Sequence, residues 1–98
     1  LQTNKGKNYE KHNTTEDLLQ IISSVAIEKR IEYRNKYNLD LDLDLTNGYG
    51  LFSIVNRASL KSIISNLVNN SIEAAHHSVQ VKISLDSKGD KNLITVTD

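Results

Sequence analysis

The fold is decided by the stretch Ile64-Ser-Asn-Leu-Val-Asn-Asn-Ser-Ile-Glu-Ala-Ala75, which has the spacing of an amphipathic helix. At 3.6 residues per turn, Asn66, Asn70 and Glu73 lie one above another on a narrow polar face. The other side of the helix is apolar except for one serine, and it consists of Leu60, Ile63, Ile64, Leu67, Val68, Ser71, Ile72 and Ala75. Asparagine competes with the backbone for hydrogen bonds, so each one costs a helix about 0.5 kcal/mol relative to alanine. The pattern fits either a solvated polar face or a binding site.

Strands are predicted on both sides of this helix. The run Leu39-Asp-Leu-Asp-Leu-Asp-Leu45 alternates with period 2, which predicts a half-buried strand with its leucines inward and its aspartates in water. A short strand is predicted over 51–55, and Thr46-Asn-Gly-Tyr-Gly50 between the two predicts a hairpin connection. Beyond the helix, 78–86 alternates again, and a turn at 87–90 leads to a return strand at 93–97.

A second helix is predicted upstream, over residues 14–38. Asn13 or Thr14 can cap it, and Glu16 or Asp17 favours the positive end of its dipole. Helical spacing of apolar residues follows at Leu18, Leu19, Ile22, Val25 and Ala26. Residues 1–13 are polar and lack periodicity, so they form a flexible entry segment. The order helix, two strands, helix, hairpin predicts an α/β two-layer sandwich with helices on one face of a mixed sheet.

Composition excludes several functional classes. The 98 residues suit one small domain, and the mean hydropathy of −0.43 suits a soluble one. Twelve basic and twelve acidic side chains cancel, which argues against nucleic acid and anionic membranes as partners. The chain has no cysteine, so disulfides and thiol catalysis are excluded. No apolar run is long enough to span a bilayer, and the absence of an initial methionine suggests a start inside a longer gene product.

Other polar residues carry no convincing chemistry. His12 is followed by Asn13 and not by an acid that would take its proton, so it is interpreted as a loop histidine and not a phosphoacceptor. His76 and His77 are adjacent, and neighbours in sequence cannot share a helix face to bind one metal. The aspartates of the 39–45 strand stand roughly 7 Å apart, too far to converge on calcium. The Gly-x-Gly of the 46–50 turn lacks the lysine of a phosphate loop.

Two motifs resemble those of a known family. The segment Asn66-Leu-Val-Asn-Asn70-Ser-Ile-Glu73-Ala resembles the N box of sensor histidine kinases, an Asn-Leu-x-x-Asn-Ala-x-(Lys/Glu) helix in their ATP-binding domains. Ile94-Thr-Val-Thr-Asp98 resembles the strand that ends in the adenine-binding aspartate of these kinases and of the related gyrases and heat-shock chaperones. The resemblance covers residues 15–98. It implies a truncated Bergerat-type fold, in which 14–38 is a linker helix from the dimerisation region and 39–98 the first half of the ATP-binding domain.

The resemblance also implies roles for the site residues. Asn70 would bind the Mg²⁺ that bridges the ATP phosphates, and Asn66 would support the phosphate and metal side one turn away. Glu73 occupies a position that is often lysine in the family, which puts its direct role in doubt. Asp98 would accept a hydrogen bond from the adenine amino group. The glycines that follow this aspartate in the family, the lid and the later glycine-rich segment are missing from this sequence.

The function implied is that of a fragment of a two-component sensor histidine kinase. The parent would bind Mg-ATP and pass the γ-phosphoryl to a histidine and then to an aspartate of a response regulator. Relatives that hydrolyse ATP have a carboxylate where this chain has Asn66, which cannot act as a base, so transfer is favoured over hydrolysis. The alternatives are a non-catalytic protein-interaction module of the same fold and an ATP hydrolase of the gyrase or chaperone type. We expect a cytoplasmic homodimer that is inactive as this fragment alone; membrane anchoring of the parent stays open.

Overall fold

The computed structural model describes residues 13–36, 38–75 and 78–98. Within them, the chain forms β1 Asn13–Asp17, α1 Leu18–Tyr33, β2 Asn38–Asp44, β3 Phe52–Asn56, α2 Arg57–Ala74, β4 Ser78–Lys88 and β5 Lys91–Thr97. Residues 1–12 of the predicted 1–13 entry segment, with His12, lie outside the described residues, as do His76 and His77. Asn13, the last residue of that predicted segment, begins β1. In the part of the chain that is described, neither helix is long and apolar enough to cross a bilayer.

The described strands form two sheets. β2, β4 and β5 make a mixed sheet in that order, in which β4 is parallel to β2 and antiparallel to β5. β1 and β3 make a separate antiparallel ribbon. α1 packs against β2 and β4, and α2 packs against β4 and β5. The predicted α/β sandwich of helices on a mixed sheet is therefore confirmed.

Alternating side chains decide which face of the three-stranded sheet is buried. Along β4 every second side chain enters the core, namely Val79, Val81, Ile83 and Leu85. In β2, Leu41 is buried and the three aspartates are exposed, as the period-2 pattern predicted. Each fully buried aliphatic side chain contributes about 1.5–3 kcal/mol. The helices close this core from one side with Leu18, Ile21, Ile22, Val25, Ala26, Tyr33, Ile64, Val68 and Ile72.

The segment Asn13–Asp17 is a strand, so the prediction that a helix starts there is wrong. It pairs antiparallel with β3, a partner distant in the sequence. The predicted capping chemistry is present but sits at Asp17, whose Oδ1 accepts a hydrogen bond of 3.1 Å from the backbone N–H of Leu19. α1 ends at Tyr33, earlier than the predicted stop at Asn38, and Asn38 instead begins β2.

The cap at Asp17 gives a stability prediction. Asp17→Ala is expected to lower the free energy of unfolding by about 1 kcal/mol, because the first turn of α1 loses an acceptor. Asn13→Ala is the matched control, since Asn13 is exposed at the other end of the same strand. It should stay within about 0.5 kcal/mol of the unmodified chain. Urea unfolding followed by circular dichroism measures both, and equal effects would show that Asp17 does not cap the helix.

The connection over 46–50 does not join a hairpin, so the prediction of a hairpin between the two strands beside it is wrong. β2 and β3 belong to different sheets. The glycines serve other purposes: a Cβ at Gly48 would lie 2.8 Å from Cδ2 of Leu85, so the loop approaches β4 more closely than a side chain would permit. Gly50 has a φ of 78°, a conformation that favours glycine. The loop therefore packs against β4 at Leu85.

The hairpin between β4 and β5 is confirmed. Lys88 pairs with Lys91, which leaves Gly89 and Asp90 as a two-residue loop. Gly89 has a φ of 64° at the first loop position, where a type II′ turn takes glycine. This hairpin fixes the direction in which β5 runs toward Asp98.

Candidate functional site

The polar face of α2 is exposed to solvent. Asn66, Asn70 and Glu73 are all exposed, and the helix places them on one side, as the spacing predicted. Within residues 13–36, 38–75 and 78–98, no side-chain hydrogen bond or ion pair engages any of the three. Their carbonyl, amide and carboxylate groups are therefore available to a ligand.

The buried face of α2 is narrower than predicted. Ile64, Val68 and Ile72 are fully buried, one helical turn apart. Ile63 and Leu67, which the pattern assigned to the same apolar side, are 57% and 46% exposed. The reason is geometric, because α2 packs against α1, β4 and β5 with its other side and leaves the flank of Ile63 and Leu67, beside Asn66 and Asn70, exposed. The exposed surface of α2 thus combines carboxamides with an apolar strip.

Asn69 differs from the other two asparagines. It lies about 100° around the helix from Asn70 and faces α1. Its Oδ1 accepts a hydrogen bond of 3.0 Å from the hydroxyl of Tyr33, the last residue of α1. Sequence reasoning missed this contact, because its partners lie 36 residues apart on two different helices.

Asp98 follows β5, the edge strand on which α2 packs. Thr97 pairs with Lys82, so Asp98 lies roughly 10 Å along β4 from its start at Ser78. Asp98 thus lies at the end of a strand that contacts the helix carrying Asn66 and Asn70.

An open cleft of about 320 Å³ adjoins Asp98 at the outer face of the sheet. Its walls carry several acidic groups and one lysine, and its lining residues are Asp40, Asp42, Gln80, Val81, Lys82, Thr97 and Asp98. Among the described residues, no group of three or more His, Cys, Asp or Glu side chains is arranged to hold a metal ion.

Comparison with solved structures connects this geometry to a protein family. Two nucleotide-free structures of the catalytic domain of histidine kinase ThkA match the chain with a TM-score of 0.76 and 27% sequence identity. Each match covers 86% of this chain. The chain has the fold of a histidine kinase catalytic domain. No protein-family model and no curated protein sequence gives a significant match.

The kinase-domain match covers 86% of the chain, which is the share that residues 15–98, the range given for the resemblance, make up. It therefore includes part of the segment before β2. α1 also contributes to the same hydrophobic core as the sheet. In the other direction, the chain spans 56% and 54% of the length of the two ThkA structures, about half of that catalytic domain.

Proposed function

We propose that the full-length gene product containing this chain is a sensor histidine kinase, and that this chain supplies the α2 side of its nucleotide site. The observation that carries the proposal is the kinase-domain fold, in which Asn66 and Asn70 are exposed and unengaged on α2 and Asp98 follows β5, a strand that α2 contacts. Because the chain spans about half of the matched domain, the activity belongs to the full-length protein.

Each residue has a role that its chemistry supports. The side-chain carbonyl of Asn70 is a hard oxygen ligand suited to Mg²⁺ carried by ATP. Asn66, one turn earlier, can donate its amide N–H groups to phosphate oxygens. The carboxylate of Asp98 can accept a hydrogen bond from the adenine amino group. Glu73 stands where the family often has lysine, and its carboxylate repels phosphate, so we assign it no direct contact with the phosphates.

The chemistry proposed is phosphoryl transfer. The bond between the γ-phosphorus and the bridging oxygen of ADP breaks, a bond to a histidine nitrogen forms, and an aspartate of a response regulator then accepts the phosphoryl group. Mg²⁺ bound with ATP neutralises charge on the phosphates. The protein contributes mainly positioning, and Asn66 cannot take a proton from water. Transfer to a protein side chain is therefore favoured over hydrolysis.

The partners follow from the same proposal. ATP is the substrate, and a response regulator is the final acceptor. We also propose a homodimer for the full-length protein. We place the site in the cytoplasm, where ATP is available.

Incubation of the full-length gene product with γ-labelled ATP tests the function. We expect acid-labile, base-stable label on the protein, as phosphohistidine gives, and no label from α-labelled ATP. The 98-residue chain alone should stay unlabelled, because it spans about half of the matched domain. Release of labelled phosphate without protein labelling would indicate an ATP hydrolase. Failure to bind ATP would indicate the non-catalytic interaction module.

A further inference from the structure

The contact between Tyr33 and Asn69 lies next to the proposed site but outside it. We propose that Tyr33 is a positioning residue, which fixes the rotation of α2 through Asn69 so that Asn66 and Asn70 present their carboxamides to the nucleotide. This inference rests on the proposed function for its consequence, while the contact itself stands on the geometry of the two helices. Tyr33 touches no proposed ligand.

Tyr33 is itself held in place. Only 6% of its surface is exposed, so the ring is fixed in the core. The ammonium group of Lys29 lies 5.8 Å from the centre of that ring. Lys29 is 5% exposed, and Glu32 pairs with it at 2.9 Å. A buried lysine needs such a partner, because an uncompensated charge in the core is costly. The cluster of Lys29, Glu32 and Tyr33 therefore forms a rigid end to α1.

Other polar contacts between the helices lie farther from the site. Arg57 donates to Gln20, and Lys61 pairs with Glu28 at 2.6 Å. Both contacts are exposed to solvent, where such pairs contribute little. The hydrogen bond from Tyr33 to Asn69 is partly buried and adjoins Asn70 in sequence. It is therefore the contact best placed to control the site end of α2.

Even a small rotation of α2 about its axis would displace the side-chain ends that form the proposed site. Side-chain tips lie about 5–6 Å from a helix axis, so a rotation of about 20° moves them by roughly 2 Å. A functional site must be held within about 0.5 Å of its productive geometry. A rotation that the hydrophobic core would tolerate is thus enough to misplace the oxygen of Asn70. The Tyr33–Asn69 bond opposes that rotation.

Tyr33→Phe tests the proposal in the full-length gene product, because it removes the hydroxyl and keeps the ring. In the nucleotide-free protein, amide exchange in the 69–74 segment should become about three- to tenfold faster, the scale of one lost hydrogen bond. The affinity for Mg-ATP should fall by about the same factor. The gain in affinity that Mg²⁺ confers should shrink, since Asn70 is the proposed ligand. A purely structural role would not change that Mg²⁺ dependence.

Two controls sharpen the test. Arg57→Ala removes an α1–α2 contact at the far end of the helix and should leave both readouts unchanged. Asn69→Ala should match Tyr33→Phe, and the double variant should be no worse than the more severe single one, because both remove the same bond. Unchanged exchange in Tyr33→Phe, or additive effects in the double variant, would overturn the inference. If the unmodified protein binds no ATP but Tyr33→Phe still speeds amide exchange in the 69–74 segment, the proposed function is wrong while the role of the Tyr33–Asn69 contact in holding α2 is supported.

Discussion

Asn70→Ala is expected to abolish autophosphorylation of the full-length gene product while leaving its folding intact. Asn70 is exposed on α2, and no hydrogen bond or ion pair engages its side chain within the described residues, so the fold loses no polar contact. The helix gains about 0.5 kcal/mol, because alanine is the better helix former. The nucleotide loses the side-chain oxygen that we assign to Mg²⁺. Losing one electrostatic contact to a reacting group typically costs about 100- to 1000-fold in rate.

The measurement is a comparison of labelling rate and melting temperature in the same preparation. Ser62→Ala is the matched control, because Ser62 is an exposed polar residue of α2 located one turn before Asn66. It should keep nearly full activity and a similar melting temperature. Asn69 is unsuitable as a control, since it accepts the hydrogen bond from Tyr33. If Asn70→Ala unfolds the protein, or labels as fast as Ser62→Ala, the carboxamides are only a solvated face.

Ile64→Ala is expected to destabilise the 98-residue chain by about 2–5 kcal/mol, whereas its neighbour Ile63→Ala should change stability by less than about 0.5 kcal/mol. Ile64 is 1% exposed and packs in the core, while Ile63 is 57% exposed. A domain of this size has only about 5–15 kcal/mol in total, so the first variant should lose a large share of its stability. The substitution is chemically identical in both cases, which isolates the effect of burial.

Urea unfolding midpoints at constant protein concentration measure this pair. The slope of the transition should stay the same in both variants, which shows that stability and not compactness has changed. Equal losses at the two positions would mean that α2 buries a broader face than the structure gives. That result would also contradict the description of Ile63 and Leu67 as an exposed apolar strip beside Asn66 and Asn70.

The parts of the fold that could be predicted from the sequence are the elements in which buried side chains recur at a regular spacing within one segment. The alternation of Leu39–Leu45 and of 78–86 follows directly from a strand with one buried face. The helix around Asn66 and Asn70 shows its period in the same way. In each case the signal and the structure that it reports lie within one segment, so no knowledge of distant partners is needed.

The parts that sequence did not predict depend on distant partners. Asn13–Asp17 is polar on both faces and shows no alternation, and it becomes a strand because β3 pairs with it. The 46–50 segment has the residues of a hairpin turn, but β2 pairs with β4, from which β3 and α2 separate it in the sequence. The bond from Tyr33 to Asn69 depends on how two helices pack. The roles of Asn66, Asn70, Glu73 and Asp98 stay predictions, as does the division of the chain at residue 39.

The parallel pairing of β2 with β4 has a consequence for the order in which the chain folds during synthesis. Leu39 pairs with Val79, so 40 further residues must be synthesised after Leu39 before its partner in β4 is present. At about 5–20 residues per second, the ribosome needs roughly 2–8 s for that distance. Throughout this interval a leucine-rich strand is without its native neighbour, and such segments aggregate easily. The aspartates between the leucines keep the nascent strand charged, which protects the newborn chain until β4 emerges.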